Sequence, residues 1–300
     1  MSVPVAPTLA AVVREKTGVA WSRARSLCSE GRVTVNGERC LDPAARIPPD
    51  ALVVVNAHAP RIRNDRLARS AIVYADRDVV VVDKPAGMLS VADEEGNRDT
   101  LVDHTRTVLR RVDKYDGPLG VVHRLDRDTS GVMVFARTAE AARRLAAYFK
   151  SHEIDRAYHA IAHGSVTAGR IETHLLLDRG DGLRGSHGHF RRVRGAPPRE
   201  ARHAVTHVAP LEALDGATLV ECRLETGRQH QIRIHLAETG NPLVGEFVYI
   251  RDFADAKIEA PRIMLHARSL AFLHPRSGER VAFEREPPAD FQEMVESLRR

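Results

Sequence analysis

Three hundred residues suffice for one large domain with a small companion, or for two domains. Hydrophobic residues make up 43% and charged residues 28%, and no apolar run is long enough to span a bilayer, so a helical membrane protein is excluded. The formal charge of +5, with a pI near 9.4, is compatible with a nucleic-acid partner, and three cysteines without CxxC spacing (Cys28, Cys40, Cys222) support neither a disulfide framework nor a zinc ribbon.

The opening MSVPVAPTLAAVV has no positive segment ahead of its short apolar stretch. Neither a signal peptide nor a membrane anchor is expected, and the sparse, odd cysteine count fits the cytoplasm. TLAAVVREKTG predicts a helix closed by Gly18, and Ser22 is placed to cap a second helix that ends at Gly31. RVTVNGERC alternates Val33 and Val35 before Asn36-Gly37, a strong hairpin signal, and ALVVVN supplies a later strand. Residues 1–56 therefore form a small α/β module, either an RNA-binding unit or a capping module. Residues 57–70 read as a basic linker holding Arg61, Arg63, Arg66 and Arg69.

The remainder, 71–300, mixes strand pairs with a few helices. IVYADRDVVVVDKP gives two short strands joined through Asp76-Arg77-Asp78. VMVFAR is a further strand, Thr138 can cap the helix AEAARRLAAYFKS, and RAYHAIAHG alternates as a strand. ARHAVTHVAPLEAL and ATLVECRLE flank Asp215-Gly216 as a hairpin, and RQHQIRIHLAETG is a helix closed by Gly240. No steady βαβ rhythm emerges. The expected fold class is α+β: a mixed, largely antiparallel sheet with flanking helices, preceded by the small α/β module. A second basic run, Arg191, Arg192, Arg194, Arg199 and Arg202, reads as exposed chain suited to phosphates.

Three segments carry polar chemistry. His123-Arg124-Leu125-Asp126-Arg127-Asp128-Thr129-Ser130-Gly131 enters the strand VMVFAR, and arginines at 124 and 127 put positive charge beside Asp126. Such a carboxylate can serve as nucleophile or general base; the same pattern also fits a charged turn held by ion pairs. In Thr226-Gly227-Arg228-Gln229-His230-Gln231-Ile232-Arg233-Ile234-His235, helical spacing pairs Gln229 with Arg233 and Gln231 with His235. A turn leading into a helix N-terminus suits an anion, and an amphipathic surface helix fits equally well. Lys84, in Val82-Asp83-Lys84-Pro85-Ala86-Gly87, could touch a phosphate, although a plain turn is the simpler reading.

KPAG, HRLDRDTSGVMVFAR, TGRQHQIRIHLAETGNPL and LHARSLAFLHP follow one another in the order seen in the RluA family of pseudouridine synthases, and residues from about 71 to 292 resemble that family. SRARSLCSEGRVTVNGERCLDPAARIPPDALVVV resembles the RNA-binding domain first known in ribosomal protein S-four, with Pro48-Pro49-Asp50 where a Gly-Asp turn is more usual. The resemblance implies Asp126 as catalytic aspartate and Arg124 as an arginine for base flipping and RNA contact. It implies Tyr158 against the target base, with Arg156 where Lys is more frequent, and Arg233 paired with the catalytic aspartate. Leu265 would be an apolar wall of the pocket. His123, Lys84 and Arg228, with Arg23, Arg25 and Arg32 of the small domain, would contact RNA. Asn241 and Glu246 depart from the family's usual His and Asp, and both are expected outside the immediate site.

The implied reaction isomerises uridine to pseudouridine by breaking and remaking bonds within one nucleotide, so it requires no redox cofactor and no metal. The histidine pairs His187/His189 and His203/His207 lack partners at metal-site spacing. Ribosomal RNA is the expected partner and transfer RNA the second choice, with the enzyme acting as a monomer. A non-catalytic RNA-binding or ribosome-assembly protein is the competing class, and Asp126 is the residue such a protein would have lost. A zinc nucleobase deaminase would need H-x-E and P-C-x-x-C segments, which are absent, and Asp126 with Asp128 makes a poor glycosidase pair.

Overall fold

A computed structural model describes residues 6–40, 43, 45–57, 67–92, 99–189, 195–251 and 253–299. The chain divides into two compact units, Met1–Arg66 and Leu67–Arg300. Most of the expected linker, with Arg61, Arg63 and Arg66, and the run Arg191, Arg192 and Arg194 lie outside the described residues. Among the described residues no helix is long and apolar enough to cross a membrane.

In the first unit, Thr8 accepts the amide of Ala11 and starts α1 (Leu9–Thr17), which Gly18 closes at φ +69°. The second helix, α2 (Trp21–Ser29), begins one residue before Ser22, so Ser22 lies inside it; Ala20 occupies the cap position without a side-chain bond. β1 (Val33–Val35) and β2 (Glu38–Arg39) form the expected hairpin, with Asn36 and Gly37 both at positive φ, and β3 (Val53–Val55) pairs antiparallel with β1. Leu9, Val13, Leu27, Val33 and Val53 fill the core between helices and strands.

The second unit is built on one large sheet. β4 (Ile72–Ala75) and β5 (Val79–Lys84) pair antiparallel across a turn in which Asp76 accepts the amides of Asp78 and Val79. There follow α3 (Leu101–Val112), β6 (Gly120–Val121), β7 (Ser130–Ala136), α4 (Ala139–Lys150), β8 (Asp155–His163), β9 (Gly169–Leu176), β10 (Gly185–Ser186), β11 (Arg202–Leu214), β12 (Ala217–Leu224), α5 (Gln231–Glu238), β13 (Leu265–Leu273), β14 (Arg280–Glu284) and α6 (Ala289–Leu298). The strand order is β10-β9-β11-β12-β8-β13-β7-β5-β4; β14 pairs with β13 and β6 with β7. Only β13 with β7 is parallel among the described pairs, so the fold is α+β with a mixed, largely antiparallel sheet.

The valine run of β5 is buried on both faces. Val80 and Val82 join Met133 and Phe135 in one core, while Val79 and Val81 join Val132, Val134 and Phe272 in the other. Each such side chain contributes about 1.5–3 kcal/mol of burial, which makes the central strands a rigid floor for the loop that precedes β7. At its start Gly131 has φ +113°, and a Cβ there would collide with the backbone of Ala267 on β13.

Candidate active site

Asp126 sits in the loop before β7, and the backbone on both sides of it is tied down. Ser90 Oγ donates to the carbonyl of Leu125 (2.7 Å) and accepts its amide (3.1 Å). Lys84 Nζ donates to the carbonyls of Arg127 (2.8 Å) and Thr129 (2.7 Å), and the Thr129 amide closes a turn onto the Asp126 carbonyl. The carboxylate itself remains 21% exposed, at the floor of a cleft of about 650 Å³. Neither flanking arginine forms one of its described ion pairs. Arg127 is exposed and donates to the Gly87 carbonyl, while the cation nearest Asp126 Oδ2 is Arg233 Nη1 at 3.5 Å, and His230 Nε2, on a ring that burial holds towards its neutral form, stands at 3.8 Å.

Tyr158 and Leu265, from the adjacent strands β8 and β13, form the buried apolar wall. Burial pushes the Tyr158 phenol up against the opposing pull of Arg156, so it stays neutral. Arg233 projects from α5, which is buried along Gln231–Leu236 rather than amphipathic. The helix starts at Gln231, so Gln229 lies before it and shares no helical face with Arg233. Gln231 and His235 do share a face, and both bond Thr206 Oγ1.

Arg233 pairs with two carboxylates, not one. Its Nε and Nη2 donate to Glu246 at 2.8 and 2.9 Å, a two-point grip, and only Nη1 reaches towards Asp126. Glu246 was expected outside the site, yet its side chain is fully buried there and also accepts the amides of Phe247 (3.1 Å), Val248 (2.9 Å) and Tyr249 (3.3 Å). Burial alone would raise the Glu246 carboxyl, but Arg233 and the Val248 and Tyr249 amides outweigh it and hold the group below the usual carboxylate range. Tyr249 then bonds His230 Nδ1 at 2.7 Å, with burial the chief cause of its phenol rising to about 12. His230 has φ +60°, a left-handed conformation that is costly outside glycine and concentrates at functional sites.

Of the other expected RNA contacts, Arg124 is exposed on the cleft wall and Arg228 is exposed at its rim, with Nε bonded to the His203 carbonyl. Lys84 cannot meet a phosphate: it is 0% exposed and spent on loop carbonyls, and burial brings it down to about 7. His123 lines the cleft as a neutral ring. It stacks on Phe149 (centroids 4.5 Å apart) and accepts the Val134 amide, and burial, then Arg156, push it down to about 3. In the first unit Arg23 and Arg32 both pair with Glu30, and Arg25 is exposed.

A family model described as RNA pseudouridylate synthase matches residues 78–238, which span the Asp126 loop, Tyr158 and Arg233, and a second, the S4 domain, matches residues 9–53. The chain belongs to the RNA pseudouridylate synthase family. It is 35% identical to a ribosomal large subunit pseudouridine synthase D of Zymomonas mobilis, over 94% of this chain and 90% of the relative. It is 36% identical to the protein of the same name from Pseudomonas aeruginosa, over 93% and 87%. Human RNA pseudouridylate synthase domain containing 4 shares the fold at 22% identity and a TM-score of 0.62, covering 76% of this chain and 93% of that one. Human RNA pseudouridylate synthase domain containing 1 is 26% identical with a TM-score of 0.55, covering 73% and 83%.

For this pseudouridylate synthase, sequence reasoning missed His230, which lines the cleft, and Glu246 and Tyr249, which bond the cleft residues Arg233 and His230 from behind. His230 lies in the TGRQHQ run already singled out, and a histidine between Arg228 and Arg233 was the available signal. Glu246 and Tyr249 follow Gly245 in a turn whose carboxylate caps three successive amides, a pattern visible only once the turn is folded.

Proposed function

We propose that this chain isomerises uridine in the RNA of the large ribosomal subunit, with Asp126 as the carboxylate that opens the reaction. The observation carrying this reading is the meeting of Asp126, Arg233, Tyr158 and Leu265 around one cleft, from four separate elements. The names of the bacterial relatives support the ribosomal substrate and, with it, a cytoplasmic enzyme.

A uridine must leave its stack to enter such a cleft, at a cost of a few kcal/mol. Tyr158 offers an aromatic face, worth ~1–3 kcal/mol per stacked base. Arg124, exposed on the wall, is the side chain suited to fill the vacated place in the RNA. The reaction breaks the bond from ribose C1′ to N1 and forms one from C1′ to C5; C5 loses a proton and N1 ends with one, so no oxidant or reductant enters. Asp126 serves each available route: attack at C1′, attack on the uracil ring, or removal of a sugar proton. Arg233, itself fixed by Glu246, orients the reacting oxygen, and the buried walls of Tyr158 and Leu265 keep the detached uracil from water.

The test is Asp126→Asn on transcribed large-subunit ribosomal RNA. Pseudouridine formation is expected to vanish while RNA affinity stays within a few-fold. Normal turnover by this variant would refute the assignment, and turnover by the wild-type chain on transfer RNA alone would move the substrate.

A further inference from the structure

Arg156 is a cation without a counter-charge in the wall of the cleft. It stands near the start of β8 and is 7% exposed. Its Nη2 donates to the Glu225 carbonyl at 3.1 Å, and its Nε is buried with no hydrogen-bond partner. No carboxylate pairs with it among the described residues: the Glu225 side chain turns instead to His207 (2.6 Å) and Arg170 (3.5 Å). The Thr226-Gly227-Arg228 turn lies directly on the guanidinium, since a Cβ on Gly227 would collide with Arg156 Nη1. A buried cation whose contacts are one carbonyl and the Phe149 ring, 5.6 Å from the guanidinium carbon, and which has no carboxylate is a costly arrangement that folding alone does not reward.

We propose that Arg156 is a phosphate-binding residue, holding the phosphate of the nucleotide whose base lies against Tyr158. The proposal rests on the cleft being the seat of a flipped uridine. Residues two apart on a strand project from the same face, ~7 Å apart, and both Arg156 and Tyr158 line the cleft. A base on Tyr158 would set its ribose towards Asp126 and leave its phosphate within reach of Arg156. The planar guanidinium fork suits a phosphate better than a lysine ammonium does. Arg228, near enough to lower the Arg156 charge's own preference for protonation behind the larger effect of burial, adds positive potential on the same side.

The experiment compares uridine 5′-monophosphate with uridine as ligands of the full-length chain, read by thermal shift, and compares salt dependence of binding to transcribed large-subunit ribosomal RNA. The wild-type chain should prefer the monophosphate, and Arg156→Met should lose that preference. The slope of log affinity against log salt should shrink by about 0.7–0.9 in Arg156→Met, the value for one phosphate contact. Arg156→Lys keeps the charge without the fork and covers the case in which the Met variant does not fold; its monophosphate preference should fall several-fold. Equal binding of the two ligands by the wild-type chain, a wild-type salt slope in Arg156→Met, or undiminished preference in Arg156→Lys would each overturn the proposal. None of these readouts needs turnover, so they stand apart from the Asp126 test.

Discussion

Glu246 holds Arg233 by two edges of the guanidinium, at 2.8 and 2.9 Å, and leaves Nη1 to face Asp126 at 3.5 Å. The carboxylate at 246 therefore sets the aim of the arginine. Removing one partner of a buried pair leaves an uncompensated charge, at a cost of about 3–5 kcal/mol. Glu246→Ala is expected to lose that much stability in denaturant unfolding. Glu246→Gln should fold, with kcat down about tenfold or more, a ΔΔG‡ of ~1.4 kcal/mol, and KM little changed.

The same pair sets a pH limit. Glu246 has a folded pKa below its unfolded value, so its stabilisation is present above the unfolded value, about 4.3, and is lost as pH falls through the lower folded one. Unfolding free energy measured from pH 6 down to pH 3 is expected to fall less steeply in Glu246→Gln than in the wild-type chain. Parallel curves would remove Glu246 from the acid response.

Lys84 acts with the same sign in an alkaline window. Its folded value of about 7 lies below its unfolded one, so the unfolded chain binds the extra proton between about 7 and 10.4 and stability rises with pH across that window. Lys84→Met should lack this rise. It also leaves the Arg127 and Thr129 carbonyls short of a donor, at ~1–3 kcal/mol, and should slow the chemical step by loosening the Asp126 loop.

Tyr158 separates ring from hydroxyl. Tyr158→Ala is expected to weaken RNA binding by ~1–3 kcal/mol of lost stacking, measured in an Asp126→Asn background so that turnover does not intervene. Tyr158→Phe should bind within about twofold of its parent. A Phe variant as weak as Ala would assign the affinity to the hydroxyl.

Gly131 is required by space as well as by its φ of +113°. Gly131→Ala would drive a methyl into the Ala267 backbone where β7 meets β13. Expression of soluble, cooperatively unfolding protein is the readout, and a variant with the wild-type melting temperature would refute the close approach.

Local signals were the legible part of the fold. Asn36-Gly37, Asp76-Arg77-Asp78, Thr138 and Gly240 each do in the structure what their chemistry announces. α3 was missed although its signal was present: Leu101, Thr105, Val108 and Leu109 fall on one buried stripe behind a Thr100 cap. The relations that cross the chain were not legible. Asp126 has arginines beside it in sequence, but neither forms one of its described ion pairs, and the cation that faces it lies 107 positions later. Lys84 looked like a surface contact because a buried lysine needs three carbonyls that only the folded loop supplies. Glu246 looked peripheral because its link to Asp126 runs through Arg233.

β13 lies between β8 and β7, yet it comes from Leu265–Leu273, more than a hundred residues after β8 begins. Until that strand is in place, the sheet is two separate pieces, with Tyr158 on one and the Asp126 loop on the other. A growing chain on the ribosome thus carries every residue of the cleft except Leu265 for some time without having a cleft. The two halves of the cleft are joined by one late strand, with only β14 and α6 still to follow it.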